Sequence, residues 1–378
     1  MKIGMIGVKS VPCSGGIARY TEELGRRLAA RGHEVTVYCR KQYLDDQACS
    51  VHAGIHRCKS PGLSGKHLDA LSHTFTAACD AIVRDFDVLH IHGLAPGFVI
   101  PMLRATTRKR IVLTVHACDW QGSKWGGAAR ACMYQASCVG LRLAHRVTAV
   151  SRGLQEYLRQ ERGCDATYAP PGIPVSSIAA PSEILKRRIE PGGYVLCVSR
   201  LVPEKGVHYA VQAFERLQTD KKLVIAGDCP YECEYVKELF SHASDRVIFL
   251  GYVSGRTLAE LYSHAYVFLQ PSDLEGLSIS VLEALSYGRC VLASDIPQNQ
   301  EALAGHGYTF DAGRVESLAE KLEWLLAHPG AVQEQFARVR EHVRQSYDWE
   351  RTTDTYEQVY GSCFVNAEGA TALPGPAR

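Results

Sequence analysis

Two glutamates, Glu275 and Glu283, lie eight positions apart across the predicted start of a helix. A predicted strand ends near Gln270, Gly276 follows the first glutamate, and free amides in the first turn of such a helix favour an anion. Carboxylates separated by roughly 12 Å of helix, at ~1.5 Å per residue, cannot share one proton or one metal ion. They could hold hydroxyl groups at opposite ends of a sugar nucleotide whose diphosphate lies at the helix start. Alternatively, Glu275 only interacts with the helix dipole and Glu283 is a solvated residue.

Two cations, Arg200 and Lys205, follow a predicted strand at 194–198 and stand where a predicted helix begins. Arginine offers a planar fork of donors and lysine offers a point charge, and both suit a diphosphate. Each residue could instead form an ordinary ion pair on the surface.

Gly15 and Gly16 form a loop after the first predicted strand, and a predicted helix that contains Arg19 follows them. Glycine lets the backbone approach a phosphate or a sugar closely. The same pair also suits a plain tight turn.

His116 directly follows a predicted strand at 111–115. Open α/β sheets bind ligands at the carboxyl ends of their strands, so this histidine is placed to contact a ligand. A structural role is the alternative. That alternative is stronger for His90 and His92, which flank the end of another predicted strand.

The sequence offers two possible kinds of metal site, and neither is favoured. Asp85-Phe86-Asp87 matches the Asp-x-Asp with which some transferases hold a divalent ion, but it stands at the start of a predicted strand, away from the ligand-binding edge. The fourteen cysteines include no Cys-x2-Cys pair. We therefore predict no metal cofactor and reduced cysteines, of which Cys39, Cys197 and Cys290 stand in or beside apolar runs.

Apolar runs of strand length alternate with helical patterns along most of the chain. In the first half the predicted strands are 2–6, 35–39, 87–92, 111–115, 146–150 and 166–169, and the predicted helices are 17–31, 67–84, 128–144 and 151–162. In the second half the predicted strands are 194–198, 222–226, 247–250, 266–270 and 290–293, and the predicted helices are 205–218, 231–242, 254–263 and 276–287. Such alternation requires crossover connections and parallel sheets.

The alternation stops and restarts, which predicts an α/β protein with two Rossmann-like domains that face a central cleft. The predicted parts are a first domain at 1–170, a Pro/Gly-rich linker at 171–193, a second domain at 194–345, a C-terminal helix at 346–365 and a disordered tail at 366–378. No window contains the roughly 18 uncharged apolar residues of a membrane span. Residues 1–7 are too short an apolar run for a signal peptide, so we expect a cytoplasmic protein.

Together these motifs resemble the retaining glycosyltransferases of family four, which have the GT-B fold. The resemblance extends over nearly the whole chain, and it is most specific where Arg200 and Lys205-Gly206 combine with the two glutamates. The other matching positions are Gly15-Gly16, Gly32-His33-Glu34-Val35, His116 and Trp349. Such enzymes often carry Asn-Gly-Ile/Val-Asp where this chain has Pro171-Gly172-Ile173-Pro174, so the two polar side chains of that hinge motif are replaced by prolines here.

The resemblance implies a role for each of these residues. Glu283 would hold the donor ribose, Arg200 and Lys205 the diphosphate, and Glu275 with the amides of Gly276, Leu277 and Ser278 the donor sugar. His116 would lie over the C6 side of that sugar, and the segment with Gly251 and Val253 would border the base. Gly15 and Gly16 would approach the phosphates, and Arg19 is grouped with these donor-binding residues. The final helix, near 350–363, would cross back onto the first domain.

The implied activity is transfer of a hexosyl unit from a nucleotide diphosphate sugar to a glycan or lipid-linked glycan in cell-surface polysaccharide biosynthesis. Uridine is favoured over guanosine as the base, and the resemblance favours a front-face mechanism. A nucleotide-sugar epimerase or hydrolase and a non-catalytic sugar-nucleotide-binding module remain alternatives. An α/β dehydrogenase is disfavoured because no G-x-G-x-x-G follows the first strand.

Charge is divided unevenly along the chain. Residues 1–190 carry 26 basic and 15 acidic residues, whereas residues 191–378 carry 16 and 25. The clusters at 104–110 and 186–188 favour an anionic lipid surface or a lipid-phosphate acceptor, and no motif for nucleic acid accompanies them. The sequence therefore predicts possible peripheral attachment to the inner face of the cytoplasmic membrane. A solvated basic surface is the alternative.

Overall fold

The computed structural model describes residues 1–12, 15–44, 50–63, 68–118, 127–174, 176–229, 234–334 and 336–365. The chain forms two compact units. Unit 1 comprises Met1–Gly172 and Trp349–Arg378, and unit 2 comprises Ile173–Asp348. The predicted disordered tail at 366–378 lies outside the described residues.

Unit 1 contains one eight-stranded sheet. Its strands are β1 (Lys2–Ile6), β2 (Glu34–Arg40), β3 (Val51–His52), β4 (Ile55–Ser60), β5 (Val88–His92), β6 (Arg110–Val115), β7 (Arg146–Ala149) and β8 (Thr167–Tyr168). The strand order is β3-β4-β2-β1-β5-β6-β7-β8, and every pairing is parallel except that between β3 and β4. Every residue of β5 is buried, as expected for a central parallel strand covered on both faces.

Within the described part of unit 1, five α-helices connect these strands: α1 (Gly16–Ala30), α2 (Leu68–Val83), α3 (Ile100–Thr106), α4 (Gly127–Leu143) and α5 (Arg152–Arg162). The sequence patterns do not predict β3, β4 or α3. Strand β4, IHRCKS, lacks a continuous apolar run, and it is held in a hairpin by the left-handed residues Ala53 and Gly54. Helix α3 has only seven residues and contains a proline in its first turn.

Unit 2 contains one six-stranded sheet in which every pairing is parallel. Its strands are β9 (Tyr194–Val198), β10 (Lys222–Ala226), β11 (Val247–Phe249), β12 (Val267–Gln270), β13 (Val291–Ser294) and β14 (Tyr308–Phe310). The order β11-β10-β9-β12-β13-β14 reverses direction beside β9, so ligands are expected at the carboxyl ends of β9 and β12. The prediction of an α/β protein with two parallel-sheet domains is confirmed.

The helices of unit 2 are α6 (Glu183–Lys186), α7 (Val207–Glu215), α8 (Glu234–Ser241), α9 (Gly255–His264), α10 (Ile279–Ser286), α11 (Pro297–Leu303), α12 (Val315–Ala327), α13 (Pro329–Gln333) and α14 (Phe336–Ser346). Among the described residues, no helix of either unit is long and apolar enough to span a membrane. None of the ten cysteines whose side chains are described forms a disulfide bond, and Cys39, Cys197 and Cys290 are buried.

The last helix, α15 (Trp349–Ser362), belongs to unit 1, where it packs against α1. Arg31, the C-cap residue of α1, donates hydrogen bonds to Asp354 and Glu357 at 2.6 and 2.7 Å. A Cβ atom on Gly172 would lie only 2.2 Å from the backbone nitrogen of Trp349, so the chain leaves and re-enters unit 1 through closely packed backbone. This contact needs a residue without a side chain at position 172.

Residues 173–193, predicted to be part of a linker, are in unit 2. Helix α6 in this stretch is held by Glu260, whose fully buried carboxylate accepts hydrogen bonds from the amides of Ser182 and Glu183 at 2.8 and 2.6 Å. The amide of Ile184 and the guanidinium of Arg256 also donate to it. Burial favours protonation, but these donors outweigh it and lower the pKa of Glu260 to about 2.

We predict that Glu260→Gln lowers the Tm at neutral pH by several degrees, because an amide cannot replace a carboxylate that accepts five hydrogen bonds, the fifth from the hydroxyl of Ser182. The pKa of Glu260 is below the ordinary glutamate value of 4.5, so the contribution of its carboxylate to stability is present above about pH 4.5 and is lost as the pH falls towards 2. The difference in Tm from wild type should therefore shrink in acid. Glu316→Gln, in an exposed pair with Arg216, is the control and should leave the Tm nearly unchanged. An equal effect of both substitutions would contradict the account.

Candidate functional site

The loops that follow β9, β10, β11 and β12 meet at the carboxyl edge of the unit 2 sheet. The amide of Asp273 donates to the carbonyl of Glu204 at 3.0 Å, which joins the loop after β12 to the loop after β9. The amide of Gly227 donates to the carbonyl of Gly251 at 2.8 Å, which joins the loops after β10 and β11. The amide of Leu201 donates to the carbonyl of Asp228 at 3.2 Å, which joins the two pairs, so backbone hydrogen bonds fix the four loops relative to one another.

Two glycines allow this convergence. Gly206 has a φ of 64°, and a Cβ atom there would lie 2.0 Å from the carbonyl oxygen of Pro271. Gly227 has a φ of 152°, and a Cβ atom there would lie 1.7 Å from the carbonyl oxygen of Ser199. Any side chain at either position would push the loops apart.

An ion pair between Lys205 and Glu275 lies where the first and last of these loops meet. The Nζ and Oε1 atoms are 2.6 Å apart, and the two side chains are only 13% and 10% exposed. The same carboxylate oxygen accepts hydrogen bonds from Gln270 at 2.9 Å and from Ser272 at 2.8 Å. Glu275 is therefore a fixed group in a connected network, rather than a solvated one.

Helix α10 begins later than the sequence predicted. Glu275 and Gly276 precede the helix, which starts at Ile279 after an N-cap residue, Ser278, whose side chain accepts no hydrogen bond from a described amide of the first turn. The predicted 12 Å of helix between the two glutamates is therefore wrong, because the network around Glu275 holds residues 271–278 in an irregular conformation. The free amides of the first turn are still presented at the sheet edge that carries Lys205, where they favour an anion.

Glu283 lies inside α10 and accepts a hydrogen bond from the hydroxyl of Tyr262 at 3.0 Å. Tyr262 is almost fully buried, and its ring stacks on that of Tyr287 with centroids 5.5 Å apart. Sequence reasoning missed Tyr262. A tyrosine that is buried in a helix needs a partner for its hydroxyl, but the sequence does not indicate which residue supplies it.

Arg200 follows β9 and has an exposed side chain. No described residue forms a hydrogen bond or an ion pair with its guanidinium, so this cation is available to an anionic ligand. On the loop after β11, Gly251 has a φ of 66° and Val253 is half-buried. Leu277 and Ser278 are buried beside the start of α10.

Four of the predicted site residues belong to unit 1. Gly15 has a φ of 112° at the start of α1, and a Cβ atom there would meet nothing within 4 Å. Gly16 and Arg19 are exposed in the first turns of the same helix. His116 follows β6, its Nε2 atom lies 3.2 Å from Nδ1 of His92, and burial lowers its pKa to about 3.

The carboxylates of Asp85 and Asp87 are both engaged by Lys2. The ammonium of Lys2 lies 2.7 Å from Asp85, and its backbone amide donates to Asp87 at 2.7 Å. Both aspartates stand at the amino end of β5. In the part of the chain that the structure describes, no group of three or more histidine, cysteine or acidic side chains is arranged to hold a metal ion. The prediction that the reaction needs no metal stays a prediction.

Two family models match the chain. The model "Glycosyl transferases group 1" matches residues 185–345, and the model "Glycosyltransferase Family 4" matches residues 14–177. Each match falls on the part of the chain that carries one of the two sheets.

Known proteins match over almost their whole length. N-acetyl-alpha-D-glucosaminyl L-malate synthase of Bacillus anthracis is 25% identical, over 94% of this chain and 96% of its own. GDP-mannose-dependent alpha-(1-6)-phosphatidylinositol monomannoside mannosyltransferase of Mycobacterium tuberculosis is 27% identical, over 90% and 92%. The structure of HepE from Anabaena in complex with UDP-glucose superposes with a TM-score of 0.79 at 18% identity, and covers 96% of this chain and all of that one. The chain is a glycosyltransferase with the GT-B fold, and it resembles the group 1 and family 4 enzymes in both of its units.

Proposed function

We propose that the protein is a retaining hexosyltransferase that uses a nucleotide diphosphate sugar and acts in cell-surface polysaccharide biosynthesis. The observation that supports this most strongly is the grouping of Arg200, Lys205 and the start of α10 at the carboxyl edge of the unit 2 sheet. Two cations and the free amides of a helix form an arrangement that binds a diphosphate. The available guanidinium of Arg200 gives this arrangement an unneutralised charge.

In this proposal, the other site residues of unit 2 contact different parts of the donor. Glu283, oriented by Tyr262, binds the ribose hydroxyls. Glu275 and the amides of Gly276, Leu277 and Ser278 bind the sugar. Gly251 and Val253 border the base. Because Glu275 is already held by Lys205, Gln270 and Ser272, it binds sugar hydroxyls without reorganisation, and we do not assign it the role of nucleophile.

Unit 1 contributes the remaining donor contacts in this proposal. Gly15 and Gly16, at the start of α1, approach the phosphates, and Arg19 adds a cation nearby. His116 contacts the C6 side of the transferred sugar. A burial-lowered pKa keeps its imidazole neutral at physiological pH, so it acts as a hydrogen-bonding group and not as a charge.

The proposed reaction takes place on one face of the sugar. The bond between the anomeric carbon and the phosphate oxygen breaks, and a bond from the same face to the acceptor oxygen forms. The acceptor's proton passes to the departing phosphate, and the nucleoside diphosphate is released. The protein stabilises the charge that develops on the leaving group with preorganised cations and helix amides, so we propose that no metal is needed.

We propose uridine as the base of the donor, with guanosine as the alternative. HepE from Anabaena was crystallised with UDP-glucose, whereas the mannosyltransferase of Mycobacterium tuberculosis is named as GDP-mannose-dependent. A thermal-shift screen of sugar nucleotides selects the donor, because a bound ligand raises the Tm by mass action.

With the selected donor, Arg200→Ala and Lys205→Ala should each lower turnover by roughly 10²- to 10³-fold, the scale for losing one preorganised stabiliser. Arg216→Ala, which removes an exposed cation of the same unit, is the matched control and should turn over like wild type. Proton NMR of the wild-type product should show the anomeric configuration of the donor. Wild-type rates in both site variants would refute the diphosphate assignment, and an inverted product would refute retention.

The proposed acceptor is a glycan or a lipid-linked glycan at the inner face of the cytoplasmic membrane. The named acceptor of the mannosyltransferase relative is a phosphatidylinositol mannoside, which is a lipid with a phosphate. An enzyme that acts on such a molecule benefits from a surface that binds anionic lipid.

Helices α2, α3 and α4 of unit 1 are neighbours and supply such a surface. Phe75 and Val83 of α2 are 49% and 82% exposed, and the exposed side chains of Tyr134, Val139 and Leu143 are on α4. Helices α3 and α4 contain no acidic residue, and α2 contains only two. Of these, Asp69 is buried against Arg40, and Asp80 accepts a hydrogen bond from Tyr38.

Basic residues stand beside this apolar surface. Lys109 donates to the carbonyls of Ala81 and Ile82 at 2.9 and 2.7 Å, which places the 108–110 cluster at the end of α2. Arg104 and Arg108 are exposed there. Each basic residue near a charged bilayer contributes about 1 kcal/mol to binding, and exposed apolar side chains add to it by insertion.

Sedimentation with vesicles tests this surface. We expect binding that rises with the anionic lipid fraction, fades with salt, and weakens in Phe75→Ser/Val83→Ser and in Arg104→Ala/Arg108→Ala. Phe240→Ser and Arg159→Ala change exposed residues elsewhere and are the matched controls. No binding at low salt, or equal loss in the control variants, would show that this surface does not bind a membrane.

A further inference from the structure

A row of three histidines leads from the core of unit 1 to the edge of its sheet. His90 and His92 are on β5 and are completely buried, and His116 follows the neighbouring strand β6. The Nδ1 atom of His92 lies 3.2 Å from Nε2 of His116, and the two rings stack with centroids 5.5 Å apart. His116 has a role in the proposed function, whereas His92 has none.

The surroundings of the Nε2 atom determine which ring nitrogen of His92 carries the proton. Burial, with smaller effects from His90 and His116, lowers the pKa of His92 well below 6.5, so the ring is neutral and carries one N–H group. Its Nε2 atom is buried and has no hydrogen-bond partner among the described residues. A buried N–H group without a partner is rarer than a buried acceptor without one, so the proton is on Nδ1. His92 therefore donates to His116.

The hydrogen bond from His92 determines the tautomer of His116. Because its Nε2 accepts a hydrogen bond, a neutral His116 must carry its own proton on Nδ1. That Nδ1 atom is not among the buried polar atoms without a partner, and no described residue forms a hydrogen bond with it. It is therefore free to donate to an oxygen of a ligand.

We infer that His92 is a positioning residue, which fixes His116 in the Nδ1–H tautomer so that it donates a hydrogen bond to the 6-hydroxyl oxygen of the donor sugar. The sugar contact rests on the proposed function, whereas the tautomer does not. With the opposite tautomer, His116 would present a lone pair at the same place.

The surrounding side chains keep the His92 ring in place. The ring of His90 lies against it, with centroids 4.0 Å apart. His90 is itself held by the hydroxyls of Thr114 at 2.6 Å and Tyr360 at 2.8 Å. Tyr360 is on α15, so the last described helix of the chain helps to hold His90 in place.

The stability of His92→Leu distinguishes a positioning role of His92 from a purely structural role. A side chain with an unpartnered buried nitrogen destabilises a core in which an aliphatic side chain would pack freely. We therefore expect His92→Leu to match or exceed the wild-type Tm while it loses the donated hydrogen bond. His73→Leu is the matched control, because His73 is also fully buried, and neither of its ring nitrogens is within hydrogen-bond geometry of a described residue.

Nitrogen-15 NMR of the free enzyme reads the tautomer of His116 without any substrate. We expect the Nδ1–H form in wild type and in His92→Asn, whose side-chain amide supplies a donor near the original position. In His92→Leu the Nε2–H form should gain population. A wild-type His116 in the Nε2–H form, or an unchanged tautomer in His92→Leu, would overturn the inference.

Kinetics with a hexose donor and its 6-deoxy analogue test the consequence. Wild type and His92→Asn should prefer the hydroxylated donor in kcat/KM by roughly tenfold, the scale for one hydrogen bond. In His92→Leu the preference should fall towards one, with a lower kcat, and His73→Leu should retain it. A preference that survives in His92→Leu refutes the positioning role. Failure of every hexose donor would refute the proposed function and leave the tautomer measurement standing.

Discussion

The contact between two stretches of backbone at Gly206 and Pro271 is the constraint on which the arrangement of unit 2 depends. A glycine with a positive φ lets the loop after β9 come within reach of the loop after β12. Lys205 then meets Glu275 in a nearly buried ion pair, and the start of α10 is fixed beside both. Removing one partner of such a pair would leave an uncompensated charge, so the network holds its residues in one geometry before any ligand arrives.

In unit 1, a set of buried polar side chains links the last helix, α15, to the sheet. The hydroxyl of Tyr356 lies within 3.0 Å of those of Thr114, Thr148 and Tyr20. Tyr20 in turn donates to the carbonyl of Ala169, near the point where the chain leaves the unit. A C-terminal helix of this kind is part of the core, and its hydrogen bonds extend to the row of histidines that ends at His116.

Much of this architecture could be predicted because the central strands are continuous apolar runs. The strands at 2–6, 194–198 and 222–226 were predicted with the bounds that the structure gives them. Hairpin β3–β4 was missed because its pattern is polar, and the start of α10 was predicted too early because side chains of Lys205 and Gln270 hold Glu275 outside the helix. The amides that donate to Glu260 and the hydroxyl that donates to Glu283 had no local signal, since they are 76 to 78 and 21 positions away in sequence. Residue types therefore identified the candidate site, and tertiary contacts supplied its geometry.

The central claim is that Arg200 and Lys205 bind the second phosphate of the donor. Calorimetric titration of wild type with a nucleoside diphosphate and with the matching monophosphate measures the contribution of that phosphate. The account predicts that wild type binds the diphosphate roughly 10- to 100-fold more tightly, the scale for hydrogen bonds to charged groups. Arg200→Ala and Lys205→Ala should lower this ratio towards one without changing the affinity for the monophosphate. An unchanged ratio in both variants would contradict the account.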